Sequence, residues 1–263
     1  MLKKLLVAAL GCGLFLAAGA ALGINYGQPD GTRHPNVGAV IRLRSDGQYR
    51  ILCSGSLIAP RVFLTASHCT RFLEDQGISD VWVTFDPTFT QSSPRIHGTM
   101  HSNPNFSQRQ SDPGDIAVIT LDQAVTNVAP VQLPPAGLLD DMKDEGTLNG
   151  TLFTSVGYGV QEPHPGPGGI TNPFPMERWF SVGEFNALNK AFMRISQTQA
   201  TGDGGTCSGD SGGPQFLGAG ANETNTQVSI TITGDVFCFA TNVVYRVDTP
   251  QARAFLDDFV TLP

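Results

Sequence analysis

What most restricts the fold of this chain is how its apolar residues are parcelled out. They come in short runs rich in β-branched and aromatic residues, each closed by turn-forming residues, and no long stretch keeps helical or heptad spacing. "VGAVIRLRS" (37–45), "YRILCSGSLIA" (49–59), "RVFLTAS" (61–67), "DVWVTFD" (80–86) and "DIAVITL" (115–121) read as a first series of strands. "GTLFTSVGYG", "AFMRISQTQ", "TQVSITITGDVF" and "TNVVYRV" read as a second. Between them the Pro-rich "APVQLPPAG" (129–137) reads as a crossover between two β-subdomains, within about 125–150, and "QEPHPGPGGITNPFP" (161–175) as an exposed loop. "TPQARAFLDDFV" (249–260) has a Thr-Pro start and helical spacing, so a short C-terminal helix is predicted there. With 30 Gly, 18 Pro and only 15% charged residues in 263, an all-β chain with a sizeable core is expected.

The charge balance narrows the partners. A net charge of −7, with no Lys/Arg cluster beyond the extreme N-terminus, argues against nucleic acid. That N-terminus, "MLKKLLVAALGCGLFLAAGAALG" (1–23), has two lysines, an apolar run and small residues at its end, the pattern of a secretory signal peptide. The run from Leu5 to Gly23 is also long enough to span a bilayer, and "ALGC" at Cys12 offers a weaker lipoprotein reading. Cleavage after Gly23 leaves residues 24–263 as an exported domain, secreted or periplasmic, with no membrane segment. Export makes disulfides plausible for the remaining Cys53, Cys69, Cys207 and Cys238, which allow three connectivities. No CxxC or Cys/His zinc spacing occurs, so neither metal nor cofactor is expected, and Glu74 and Asp75 read as ordinary surface acids.

The stretch "GGTCSGDSGGPQF" (204–216) sets five glycines around Ser211, with Cys, Asp and Pro at places no flexible linker would need. It reads as a tight loop presenting a serine hydroxyl. Serine is a poor nucleophile unless a base lies within reach and that base is held by a partner. His34, His97, His101 and His164 sit in polar or Pro/Gly-containing stretches and read as solvated. His68 closes the apolar "VFLTASHC" beside Cys69, so it is the candidate base. Asp115, opening "DIAVITL", is the candidate orienting carboxylate. Taken alone it reads rather as a strand-start aspartate capping the preceding turn, and Asp112 before Pro113 is its competitor.

"LTASHC", "DIAVITL" and "CSGDSGGP" together resemble the three signature blocks of the chymotrypsin/trypsin-like serine proteases, in that family's order. "CSGSLIAPRVFLTASHC" and "NVVYRV" extend the likeness over nearly the whole chain after residue 23, while about 129–175 matches only loosely. The resemblance implies two six-stranded antiparallel β-barrels and the bridges Cys53–Cys69 and Cys207–Cys238. It implies a triad of His68, Asp115 and Ser211, with an oxyanion hole from the N–H groups of Gly209 and Ser211. Ser67 stands where the family usually has alanine. Asp210 is implied as the buried partner of a new α-amino group at Ile24, with Asn25 and Tyr26 departing from the usual start. No Arg or Lys precedes Ile24, so removal of the signal could itself create that terminus. The implied function is a secreted monomeric endopeptidase acting on protein or peptide substrates, with a protein inhibitor as a second partner class. A catalytically dead binding relative is the alternative. An α/β-hydrolase is excluded because no histidine follows Ser211.

The resemblance also locates a specificity pocket. Its floor is Gly205, followed by Thr206, with Thr233, Gly234 and Asp235 on one wall and Val243 near the other. Gly205 carries no carboxylate to meet a buried Arg or Lys, so cleavage after uncharged, small or medium aliphatic residues is expected. Asp235 is read as facing solvent at a strand end, or as turning inward toward an incoming cation.

Overall fold

The computed structural model describes residues 24–161, 164–166, 169–171 and 174–263. Residues 1–23, where a signal peptide with Cys12 is expected, the His164 side chain and part of the 161–175 loop lie outside the described residues. Fifteen strands run in chain order: β1 (Gln28–Pro29), β2 (Val37–Leu43), β3 (Tyr49–Ala59), β4 (Val62–Thr65), β5 (Val81–Thr84), β6 (Ile96–Ser102), β7 (Ala117–Leu121), β8 (Leu152–Gly157), β9 (His164–Gly166), β10 (Gly169–Thr171), β11 (Trp179–Leu188), β12 (Phe192–Ser196), β13 (Pro214–Leu217), β14 (Gln227–Gly234) and β15 (Thr241–Arg246). Three α-helices accompany them: α1 (Ser67–Glu74), α2 (Leu138–Asp144) and α3 (Pro250–Leu256).

Six strands close an antiparallel barrel in the order β2-β3-β4-β7-β6-β5. A second six close in the order β8-β11-β12-β15-β14-β13, and β1 adds to the edge of β11. This is the all-β, two-barrel architecture expected. Closure leaves no free edge on the main sheets apart from the short β1. Each barrel is filled by the inward residues of its strands, such as Val40, Leu57, Phe63, Val83 and Ile119 in the first and Phe153, Met193, Ile195, Val228 and Val244 in the second.

Several elements differ from the sequence reading. Strands β6, β11 and β13 carried too little aliphatic signal. β11 buries Ser181 and Gly183, and β13 buries Gln215, whose amide is satisfied by Thr231 Oγ1 at 2.7 Å and Ser229 Oγ at 2.9 Å. The crossover contains α2, whose Leu139 is fully buried and whose first turn is anchored by Asp248 accepting the Leu139 N–H at 2.9 Å. His68 does not close a strand. The strand stops at Thr65, and His68 is the second residue of α1. The terminal helix begins as expected, with Thr249 capping the Ala252 N–H and Pro250 in the first turn.

His34 is not a surface residue. It is 6% exposed, stacks on Phe216, and is held between Asp30 and Glu223 (Nε2 to Oε1, 2.6 Å). Asp30 also receives Arg178 Nε at 2.6 Å. Burial pushes the Asp30 carboxyl up, but His34 and Arg178 outweigh it and hold the group below the usual carboxylate value. Arg178 itself is 1% exposed. It donates to the carbonyls of Val37 and Phe85 from the first barrel, to Gly31, and to the Tyr158 hydroxyl that follows β8. It therefore pins the entering chain into the seam between the barrels. Arg178→Ala strands the Asp30 charge without its guanidinium, and urea unfolding is expected to show a loss of about 3–5 kcal/mol. The Asp30→Asn, Arg178→Ala double variant is expected to recover part of that loss.

Candidate functional site

The site forms where the two barrels meet. From the first barrel come His68 and Asp115. Asp115 lies two residues before β7 and is 4% exposed. One of its carboxylate oxygens accepts the His68 backbone N–H at 2.8 Å; the other meets the His68 ring Nδ1 at 2.8 Å. This double contact makes Nδ1 the protonated nitrogen and leaves Nε2 as the acceptor. Asp112, the competitor, instead accepts from the Tyr245 hydroxyl at 2.8 Å and from the Gly114 N–H. Ser67 earns its place beside His68: its hydroxyl donates to Ile116 O at 2.7 Å and accepts the Asn103 N–H at 2.9 Å, tying the start of α1 to the strand that follows Asp115. The Cys53–Cys69 disulfide fastens the same helix to β3, so His68 is held on both sides.

From the second barrel comes the loop of Ser211. Its backbone is knitted into the first barrel: Ser54 N donates to Ser211 O at 2.9 Å, and the Cys69 sulfur lies 4.0 Å from that same carbonyl oxygen. Two glycines are required by this geometry. Gly212 has φ +79°, and a Cβ on it would lie 2.2 Å from Thr65 Oγ1. Gly209 has φ +98°, and its carbonyl accepts the Ser54 hydroxyl at 2.9 Å, which fixes the plane of the Gly209 peptide. Ser54 was not singled out in the sequence. Its hydroxyl also accepts the Tyr158 N–H at 2.9 Å, so one small side chain links β3, the end of β8 and the serine loop.

Asp210 is fully buried. Its two oxygens accept the N–H groups of Gly159 at 2.7 Å and Cys207 at 2.9 Å. Burial nevertheless pushes the carboxyl up to about 7. Ile24 is also fully buried, in a turn closed by Gly27 N to Ile24 O at 2.7 Å. The next residue, Asn25, joins this turn to the loop before Ser211 and to the Cys238 segment. Its carbonyl accepts the Gly205 N–H at 2.9 Å, and its side chain donates to Cys238 O.

A cleft of about 480 Å³ runs past His68 and Asp115 and is bordered by Phe192, Ile232, Thr233 and Val243. Gly205, Thr206 and Gly234 are not among the residues that line it; Gly234 follows Thr233 along β14, and the Cys207–Cys238 disulfide ties the loop that carries Gly205 and Thr206 to the segment after β14. Asp235 adopts neither arrangement considered from sequence. Its carboxylate accepts the N–H groups of Phe239, Ala240 and Thr241 and the Gln197 amide at 3.2 Å. Burial raises its pKa, but these donors outweigh that and bring it down to about 2, so the charge is spent on holding its own loop. Gln197 and Asn242 also lie in this region and were not anticipated, because neither belongs to a motif. Asn242 directly precedes Val243, and the paired register of β14 and β15 is what brings it opposite Gly234. The sulfurs of Cys53 and Cys69 come within 4.8 Å of a His68 nitrogen, but they are bonded to each other and offer no thiolate to a metal.

Comparison with known proteins agrees with this architecture. The sequence model of the family described as Trypsin matches residues 26–253. A chymotrypsin of Phaedon cochleariae is 27% identical over 217 residues, covering 78% of this chain and 71% of that protein. The serine protease grass of Drosophila melanogaster is 25% identical over 227 residues, covering 76% of this chain and 57% of the relative's length. Among solved structures, HL collagenase superposes with a TM-score of 0.65 at 16% identity, covering 87% of this chain and 95% of that one. Neuropsin, a serine protease expressed in the limbic system of mouse brain, gives 0.62 at 18% identity, covering 89% and 99%. These two likenesses speak to the fold, and the match over residues 26–253 to the lineage: this chain belongs to the trypsin family of serine proteases, whose members act on protein or peptide substrates.

Proposed function

We propose that this chain is a secreted serine endopeptidase that works through an acyl-enzyme. The observation that carries the reading is the pair of 2.8 Å contacts from Asp115 to the backbone and ring of His68, at the mouth of a cleft beside the Ser211 loop. Ser211 Oγ attacks the scissile carbonyl while His68 Nε2 takes its proton. Asp115 holds the tautomer and steadies the imidazolium that forms. The N–H groups of Gly209 and Ser211 receive the developing oxyanion, and loss of one such donor costs about 3 kcal/mol in the transition state. His68 then passes its proton to the leaving amine, and a water repeats the sequence to free Ser211. The two disulfides, and the absence among the described residues of any helix long and apolar enough to cross a membrane, accord with an exported domain. The substrate residue before the cut is uncharged, because Gly205 offers no counter-charge and Asp235 is committed to its own loop.

A fluorophosphonate is expected to modify Ser211 in the wild-type protein and to leave His68→Ala unlabelled. Asp115→Asn is expected to lower kcat by about four orders of magnitude. A properly folded protein whose Ser211 resists the reagent would instead be a non-catalytic relative.

The active form also needs a cation for Asp210. A buried carboxyl whose folded pKa is raised from 3.8 to about 7 favours folding below the lower value and opposes it as pH rises between the two. An α-ammonium at Ile24, created by cleavage after Gly23, would reverse that penalty by pairing with the carboxylate. A precursor retaining residues before Ile24 is expected to lose thermal stability between pH 5 and 7.5. The same precursor carrying Asp210→Asn is expected to lose less, with the difference read from paired melting curves.

A further inference from the structure

The cleft beside His68 carries a charge that the mechanism does not use. Among the described residues that line it, Arg194 is the one permanent cation. On β12 it is the register partner of Val243 on β15, and Val243 is in turn paired with Thr233 on β14. Directly opposed residues of antiparallel strands project from the same face, so Arg194, Val243 and Thr233 share one. That face is turned to the cleft, because all three residues line it. The flanking Met193 and Ile195 are buried in the core of the second barrel.

The guanidinium is also uncommitted. Arg178 and Arg246 spend theirs on the buried carboxylates of Asp30 and Asp248. Arg194 is exposed, and no ion pair or hydrogen bond joins its side chain to another described residue. Asp115, the carboxylate that borders the cleft, has both oxygens on His68. The lining is otherwise neutral, with the amides of Gln108, Gln110 and Asn189 and apolar side chains such as Phe192. Arginine's planar fork suits a carboxylate, which can accept two parallel N–H bonds from it. Apolar walls exclude part of the water that would screen such a pair.

The position of Arg194 in the sheet tells which part of a substrate would meet it. The serine loop is bonded to β14, with Gly212 N donating to Thr231 O at 2.7 Å and Thr231 N to Gly213 O at 2.9 Å. From β14 the sheet runs through β15 to β12. Adjacent strands lie about 4.8 Å apart, so Arg194 is roughly 10 Å across the sheet from the strand that holds the Ser211 loop. An extended peptide covers that distance in about three residues.

We propose that Arg194 makes this cleft a subsite for an acidic side chain of the substrate, Asp or Glu, placed about two to four residues from the cut bond. The proposal rests on the endopeptidase reading above and adds a second specificity determinant to it. A Lys or Arg at the same place is repelled by the guanidinium, and a neutral amide gains the hydrogen bonds without the charge.

The test measures kcat/KM for peptides carrying Glu, Gln or Lys singly at each position up to four residues on either side of the cut. The wild-type enzyme is expected to prefer Glu over Gln by about threefold or more at one position or more, with Lys below Gln there. Arg194→Gln is expected to bring that Glu/Gln ratio near one, and Arg194→Glu to put Lys above Glu. Raising the ionic strength from about 0.02 M to about 0.5 M is expected to cut the wild-type ratio by about half or more. Should Arg194→Gln fail to fold by circular dichroism, this salt dependence decides, and a ratio indifferent to salt overturns the proposal. If Ser211 is labelled and peptides are cut, but no position prefers Glu by that margin or the preference survives Arg194→Gln, the acidic subsite is wrong while the endopeptidase reading stands. If Ser211 resists the fluorophosphonate and no substrate is cut, the endopeptidase reading fails and the subsite with it.

Discussion

The close backbone contact between Ser54 and Ser211 is the constraint on which the site depends. His68 and Asp115 belong to one barrel and Ser211 to the other, so nothing in either barrel alone brings them together. The Ser54 N–H to Ser211 carbonyl bond, with the Ser54 hydroxyl on Gly209 O, sews the serine loop onto β3. That approach is possible only because Gly212 has no side chain against Thr65 and Ser54. The glycines of the loop are thus a consequence of packing two closed barrels side by side around Ser211.

Buried charge secures the same seam from the other side. Arg178 reaches from the second barrel to carbonyls of the first, and Asp30, His34 and Glu223 extend this polar chain from the entering segment to the loop before β14. Each member is paired, which is what makes such burial tolerable. Asp210 is the contrast. It has two backbone donors, and its pKa still rises to about 7, so this carboxyl is poised to respond to a new positive charge. Asn25, one residue past Ile24, bonds to both Gly205 and Cys238, so this segment and the loop before Ser211 form one connected structure.

The strongly patterned parts of the chain were legible. Runs such as "VFLT" and "AVITL" became strands because their side chains are aliphatic and buried on one or both faces. Strands β6, β11 and β13 escaped notice because their buried positions include Gly98, Ser181, Gly183 and Gln215, which give no apolar signal, and the partners of the Gln215 amide, Thr231 and Ser229, lie on another strand. His34 was misplaced for the same reason: in sequence it sits among polar residues, and only the fold supplies Phe216 and Glu223 around it.

Local sequence pointed to the candidate residues. Ser211 in its glycine frame, His68 beside a cysteine and Asp115 at a strand start are recognisable because their neighbours along the chain serve them. The surroundings of Gln197 and Asn242 were decided differently. Gln197 lies eight residues before Gly205, and Asn242 eight residues after Gly234, and neither spacing carries a signal. The register of β12, β14 and β15 sets Asn242 opposite Ile195 and Gly234, and a shift of one residue would turn it to the opposite face. Motifs record what a backbone turn requires of its own residues. The lining of a cavity records which strands lie side by side, and that is fixed only when the sheet closes.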